Sequence, residues 1–112
     1  MYNDVKTFIE ACDQEKTIDN VFLYSKLIDE EYTEFCEAKD RVESLDACMD
    51  MIWVILGYCY MMGYDVDGAW KEVARSNLAK INSETGKVIK NEHGKVMKPD
   101  GWTPPVLEPY IK

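Results

Sequence analysis

Apolar residues recur every three to four positions through most of the first 80 residues, which divides that stretch into four helical segments. Tyr2, Val5, Phe8, Ile9 and Cys12 mark the buried side of a short first helix over residues 2–12. The polar run DQEKT, 13–17, interrupts it. A second helix, capped by Thr17 or Asp19, runs to about Lys39 with Leu23, Leu27, Ile28 and Phe35 among its packing residues. A turn over 39–42 leads into a third helix, 43–62, on which Leu45, Met49, Ile52 and Leu56 form one packing ridge. Beyond Asp50 this helix is apolar on nearly every side, which predicts the central, most buried helix of the fold. Gly63 stands where a C-cap glycine would end it. Asp65 or Asp67 caps a fourth helix that passes through Ala69, Trp70, Val73 and Ala74 to about Ile81. The DVDG run there lacks the further ligands of a calcium loop and reads as a cap.

After Asn82 the helical period stops. KVIK and KVMK, either side of NEHG, predict two short strands of a hairpin, and the prolines of DGWTPPVLEPYIK favour an extended path. The expected fold is therefore all-α: an antiparallel bundle of about four helices with a short C-terminal β-hairpin and an extended tail. Residues 1–82 form its helical part, and residues 83–112 are the basic hairpin and proline-containing tail of the same domain.

Two groups of acids change this picture from a generic bundle to a candidate site. At about 100° per residue, Glu43, Asp46 and Asp50 share one stripe of the third helix. Glu30, Glu34 and Glu37 share a stripe of the second, with Glu31 on its flank. An antiparallel hairpin lets the stripes face each other, with Glu34 near Asp46 and Glu31 near Asp50. Each stripe then turns apolar, through Val54, Gly57 and Met61 on one helix and Leu27 and Leu23 on the other. A solvated face does not usually do that, so the acids belong at one end of a helix–helix seam. Carboxylates that close repel by about 4 kcal/mol per pair at an effective dielectric near 20. They must take up protons or bind cations, and a hard divalent ion suits an all-oxygen ligand set.

The 112 residues suffice for one domain with a modest core, and the net charge of −8 argues against a general nucleic-acid binder. The charge is uneven: residues 1–50 hold 14 acidic and 5 basic side chains, while residues 51–112 hold 7 and 8. An acidic half that could hold metal, joined to a basic tail, suits a small polyanion such as a nucleoside triphosphate. Cys12, Cys36, Cys48 and Cys59 have no CxxC spacing and read as reduced core residues of a cytoplasmic protein. His93 is the only histidine, so no zinc site is expected. The start of the chain lacks the basic and apolar regions of a signal peptide. The apolar run 51–62 is too short to span a bilayer, so no membrane association is expected.

EExxE at Glu30, Glu31 and Glu34 followed by ExxD at Glu43 and Asp46 resembles the magnesium-binding pattern of the all-α nucleoside triphosphate pyrophosphohydrolases, which include MazG proteins, dimeric dUTPases and phosphoribosyl-ATP pyrophosphohydrolase. RSNLAKI (75–81), GKVIKNEHGKVMKPDGW (86–102) and TPP (103–105) extend the likeness to short MazG-like or phosphoribosyl-ATP pyrophosphohydrolase-like proteins of phages and bacteria, over about residues 20–106. The gap between the two motifs is short. Asp50 could instead take the place of the ExxD aspartate, and Ala47 then replaces the glutamate.

The resemblance implies hydrolysis of the α–β phosphoanhydride of a nucleotide to a monophosphate and pyrophosphate, with Mg2+ as cofactor and Mn2+ as a substitute. It implies metal ligands among Glu31, Glu34, Glu43, Asp46 and Asp50, and a water-orienting carboxylate in Glu30 or Glu34. Arg75, Asn77 and Lys80 become candidates for substrate phosphates, and Trp102 a candidate for stacking on the base, with tail anchoring as its alternative. Family members pair subunits to complete each bundle, which implies a homodimer or homotetramer and agrees with the small core of so short a chain. A non-enzymatic acidic interaction module, such as a phage protein that binds a host factor, is the alternative. Di-iron chemistry of the ferritin type would require Glu-x-x-His pairs that the helices lack.

Overall fold

The computed structural model describes residues 1–112 and is all-α, with four helices and no strand. It divides into two compact units, residues 1–66 and 67–112. The first unit contains α1 (Tyr2–Ala11), α2 (Ile18–Glu37) and α3 (Arg41–Met62). Of the two candidate caps for α2, Thr17 is the one used: its hydroxyl accepts from the Asn20 N–H at 3.2 Å. α3 starts two residues earlier than the periodicity suggests, because Asp40 caps it by accepting from the Glu43 N–H at 2.8 Å. Gly63 ends α3 as expected, in the left-handed conformation at φ 73°, with its own N–H and that of Tyr64 returning to the Tyr60 and Cys59 carbonyls.

Three residues join α2 to α3, so the two helices run antiparallel and pack along their length, with α1 against α3. Val5, Ile9, Tyr24, Val54 and Met61 form the core, surrounded by Val21, Leu27, Ile28, Leu56, Tyr58 and Tyr60. Ala47, Val54, Gly57 and Met61 are the buried residues of α3. Three of them continue the Glu43–Asp46–Asp50 stripe, so the seam that the acids introduce is the one that packs. Tyr24 fits only because residue 57 is glycine: a Cβ there would overlap the Tyr24 ring. The Tyr24 hydroxyl donates to Gln14 Oε1 at 2.7 Å and ties the α1–α2 connection to the core.

Several expected packing positions lie outside this core. Phe8 on α1 and Cys12 at its C-cap are exposed, as are Leu23, Phe35 and Cys36 on α2. Phe8 instead meets the Trp53 ring edge-on, with centroids 5.7 Å apart, and Phe35 stacks on Tyr32. On α3 the ridge of Leu45, Met49 and Ile52 is 61%, 51% and 38% exposed, so α3 is not a buried central helix within one chain. The reason is geometric. Two neighbouring helices cover one stripe of a helix that is apolar on more than one side. α3 is also long and apolar enough to cross a membrane by length and composition, since the apolar residues between its acids extend the run beyond 51–62.

The second unit is built on α4 (Val66–Leu78), which begins immediately after Asp65 and stops three residues short of the expected end. The predicted β-hairpin does not form. Its segment makes only two isolated antiparallel bridges, Ile81 with Val88 and Lys90 with Val96. Asparagine side chains account for this, because they compete for the amides that a ladder would use. Asn82 Oδ1 accepts from the Glu84 and Thr85 N–H groups, and Asn91 Oδ1 from those of His93 and Lys95. Each turn also contains a positive-φ glycine, Gly86 or Gly94. KVIK is thereby divided between two consecutive turns. The remaining tail makes a turn at Asp100–Gly101, closed by the Trp102 N–H on the Pro99 carbonyl at 3.1 Å, and a 3-10 turn at Glu108–Tyr110.

Candidate metal centre

Glu31 and Glu34 lie three residues apart on α2 and so project from one face. The antiparallel packing brings Asp50 of α3 to them: each of the three offers a carboxylate oxygen, and these oxygens lie within 4.8 Å of one another. No basic side chain forms an ion pair with any of the three. Glu31 Oε2 is buried and has no hydrogen-bond partner. A buried carboxylate oxygen without a donor is costly, and a cation would satisfy it.

The electrostatics follow from this crowding. A hydrogen bond shared with the Glu34 carboxyl raises the Glu31 pKa from its ordinary 4.5 to about 7, helped by burial and by the charges of Glu34, Asp50 and Asp46. Burial also raises Asp50, with Asp46 and Glu34 adding to the effect. One end of the trio opens on a shallow cleft of about 310 Å³ lined by Glu34, Glu37, Ala38, Glu43, Asp46 and Ala47. The donor set is entirely hard oxygen, which fits magnesium or manganese better than zinc.

The other acidic candidates are distributed around this trio. Asp46 is exposed in the cleft and acts on Glu31 and Asp50 through its charge. Glu43 also lines the cleft, but its Oε2 accepts from the Lys39 N–H at 2.8 Å. Glu30 is exposed and outside the cluster. Glu37, not among the candidates, joins the cleft wall; its position one turn beyond Glu34 on the same stripe was the available signal.

The four candidates for substrate contact, Arg75, Asn77, Lys80 and Trp102, sit in the second unit, and each has a partner there. Arg75 Nε donates to Glu72 Oε1 at 2.6 Å, and its Nη2 reaches the Thr103 and Pro104 carbonyls at 3.4 and 3.3 Å. Glu72 Oε2 accepts from the Val106 N–H at 2.6 Å, so this pair clasps the tail to α4. Trp102 donates its indole N–H to the Ser76 carbonyl at 2.6 Å, the anchoring alternative. Lys80 and Lys98 lie 5.2 and 4.9 Å from the centre of the Trp102 ring. Lys80 also donates to Asn77 Oδ1 at 3.1 Å, and Asn77 is exposed. Glu72 went unnoticed in the sequence, although its spacing of three from Arg75 on a helix is a recognisable ion-pair signal.

A model of the phosphoribosyl-ATP pyrophosphohydrolase family matches residues 4–77. The chain belongs to this family. The match takes in every acidic residue of the trio and the cleft, and places the chain in the MazG-like nucleotide pyrophosphohydrolase superfamily. It begins earlier than the resemblance over residues 20–106 and ends near the close of α4, so the turns and tail lie outside it. No curated protein matches the chain.

Proposed function

We propose that the protein is a magnesium-dependent pyrophosphohydrolase that cleaves the α–β phosphoanhydride of a ribo- or deoxyribonucleoside triphosphate. The observation that carries this reading is the convergence of Glu31, Glu34 and Asp50, within a matched pyrophosphohydrolase domain, around a buried oxygen that lacks a donor. Glu31, Glu34 and Asp50 would hold the cation, with Asp46 as the remaining acidic candidate at the cleft and Glu43 beside it, bonded to the Lys39 N–H. Magnesium supplies charge neutralisation at the phosphates and polarisation of the phosphoryl oxygens. Glu34 or Glu30 orients the attacking water and accepts its proton. The water oxygen bonds to the α-phosphorus as the bridging P–O bond breaks, which yields a nucleoside monophosphate and pyrophosphate.

Arg75, Asn77 and Lys80 are the candidates for phosphate, and Trp102 for the base. Arg75 would have to release Glu72 or the tail carbonyls to serve in that way. A homodimer or homotetramer is part of the proposal, because the Leu45–Met49–Ile52 face is apolar and uncovered in one chain. A protein partner suits this face better than lipid. Asp46 and Asp50 lie on the same helix, and a carboxylate at the bilayer centre costs roughly 2.5–3.5 kcal/mol. A cytoplasmic location accords with the free cysteines.

Incubation with a panel of ribo- and deoxyribonucleoside triphosphates and magnesium tests the reading. Monophosphate and pyrophosphate are expected together, with no diphosphate; chelator should stop turnover and manganese restore it. Diphosphate with orthophosphate would replace the reading with attack at the γ-phosphorus. No turnover would favour the acidic interaction module.

A further inference from the structure

The turn between α2 and α3 is closed by a reciprocal pair of side chains. Asp40 Oδ1 accepts from the Glu43 N–H and Glu43 Oε2 from the Lys39 N–H, both at 2.8 Å. Asp40 thus satisfies a backbone donor that the helix start leaves open, and Glu43 one in the turn just before the cap, in a variant of the capping box. Glu43 is thereby engaged at the turn end of α3, seven residues before Asp50. At 1.5 Å per residue, that is about 10 Å along the axis. A hard divalent cation holds its oxygens at roughly 2.0–2.6 Å. Glu43 contributes no oxygen to the group at Glu31, Glu34 and Asp50, and its Oε2 is held by the Lys39 N–H instead. Ala47, midway between them, is buried at 4% exposure and has no ligand atom.

We propose that Glu43 is a positioning residue and not a cation ligand: by closing the turn on Lys39 it sets where α3 begins, and so holds Asp50 opposite Glu31 and Glu34. The inference rests on the reading of that trio as the cation site. The link from turn to site is the stiffness of the helix. A slip of one residue in the connection between α2 and α3 would rotate Asp50 by about 100° and shift it by about 1.5 Å. That movement would take its carboxylate out of the group. The second-helix register of the site is then Ala47–Asp50, with the acid of Glu43 diverted to the turn.

The test is titration of the intact protein with Mn(II), followed by electron paramagnetic resonance of the free ion, together with amide exchange at Lys39. Glu43→Gln keeps an oxygen that accepts from the Lys39 N–H, so it should bind Mn(II) like the wild type. Glu43→Ala should bind about tenfold more weakly, the usual loss when a group that orients ligands is removed, and its Lys39 amide should exchange faster. Asp50→Asn should bind more weakly than either. If Glu43→Gln loses as much affinity as Asp50→Asn, Glu43 is a ligand and the inference is overturned. Wild-type affinity in Glu43→Ala, or an unchanged Lys39 amide, overturns it too. If the wild type shows no saturable Mn(II) binding, the cation reading fails. The inference fails with it as a statement about the site, while exchange at Lys39 still reports whether Glu43 closes the turn.

Discussion

The α2–α3 hairpin and the unit built on α4 each place a glutamate three residues before another charged side chain, with opposite electrostatic results. In the second unit Glu72 precedes Arg75. The hydrogen bond from Arg75 and that from the Val106 N–H hold the Glu72 carboxyl below its ordinary pKa, and Glu72 raises Arg75 in return. In the first unit Glu31 precedes Glu34, and a second helix adds a third carboxylate, Asp50. The first arrangement satisfies its charge internally and holds a tail. The second concentrates like charge around a buried oxygen, which favours proton uptake or a cation. Being acidic and helical therefore does not distinguish a site from a structural contact; the partners of each oxygen do.

Removing a member of the trio should give the largest effect. Glu34→Gln or Asp50→Asn should lower turnover by about a hundredfold, as loss of charge at a metal site does. Without metal, relief of like-charge repulsion should leave the melting temperature no lower than that of the wild type. With magnesium, the wild type should gain stability and the variants little. Thermal melting beside a pyrophosphate-release assay measures both. Near-wild-type turnover with a full magnesium shift in either variant would remove that residue from the site.

The clasp should respond in another way. Glu72→Ala leaves the Val106 N–H without its acceptor and frees Arg75, so exchange at Val106 should quicken several-fold by hydrogen–deuterium mass spectrometry, in line with loss of one ordered hydrogen bond. Unchanged exchange would mean that the clasp is not formed in solution. The same variant separates two roles for Arg75. If its guanidinium also binds phosphate, Arg75→Ala should raise KM while Glu72→Ala does not. An equal rise in both confines Arg75 to holding the tail.

The two regions also differ in how well the sequence foretold them. Along α2 and α3, the acidic stripe ran into Val54, Gly57 and Met61, and those residues are buried. One helical period thus located both the seam and the acids at its end. The Leu45–Met49–Ile52 ridge repeats with the same period yet is uncovered, because periodicity identifies an apolar face without identifying what covers it. The choice between Glu43 with Asp46 and Asp50 was open for a related reason. All three lie on one stripe, and only the packing of α3 on α2 singles out Asp50 as the one that meets Glu31 and Glu34. In the tail, the valine and isoleucine of KVIK and KVMK suggested strands, but Asn82 and Asn91 bind the local amides and make turns. Local side-chain competition of this kind has no period to detect.

The smallest expected effect is in the pH dependence of stability, where the two glutamates should act in opposite directions. Glu31 has a folded pKa of about 7 against an ordinary value of 4.5. Between those values the folded state keeps a proton that the unfolded chain releases, so metal-free stability should fall as pH rises through this window and level off above it. Asp50, also raised, acts in the same sense. Glu72 is lowered, so its contribution is present above its unfolded pKa and is lost only as pH falls below about 4.5 through its folded value. Glu31→Gln should flatten the limb between pH 4.5 and 7, and Glu72→Gln should alter only the limb below it. Magnesium requires the trio ionised, so the rise in melting temperature it produces should grow with pH up to about 7 and then level. Melting curves from pH 4 to 8, with and without magnesium, give both profiles. A magnesium shift that is the same at pH 5.5 and pH 7.5 would mean that Glu31 does not share its site with the cation.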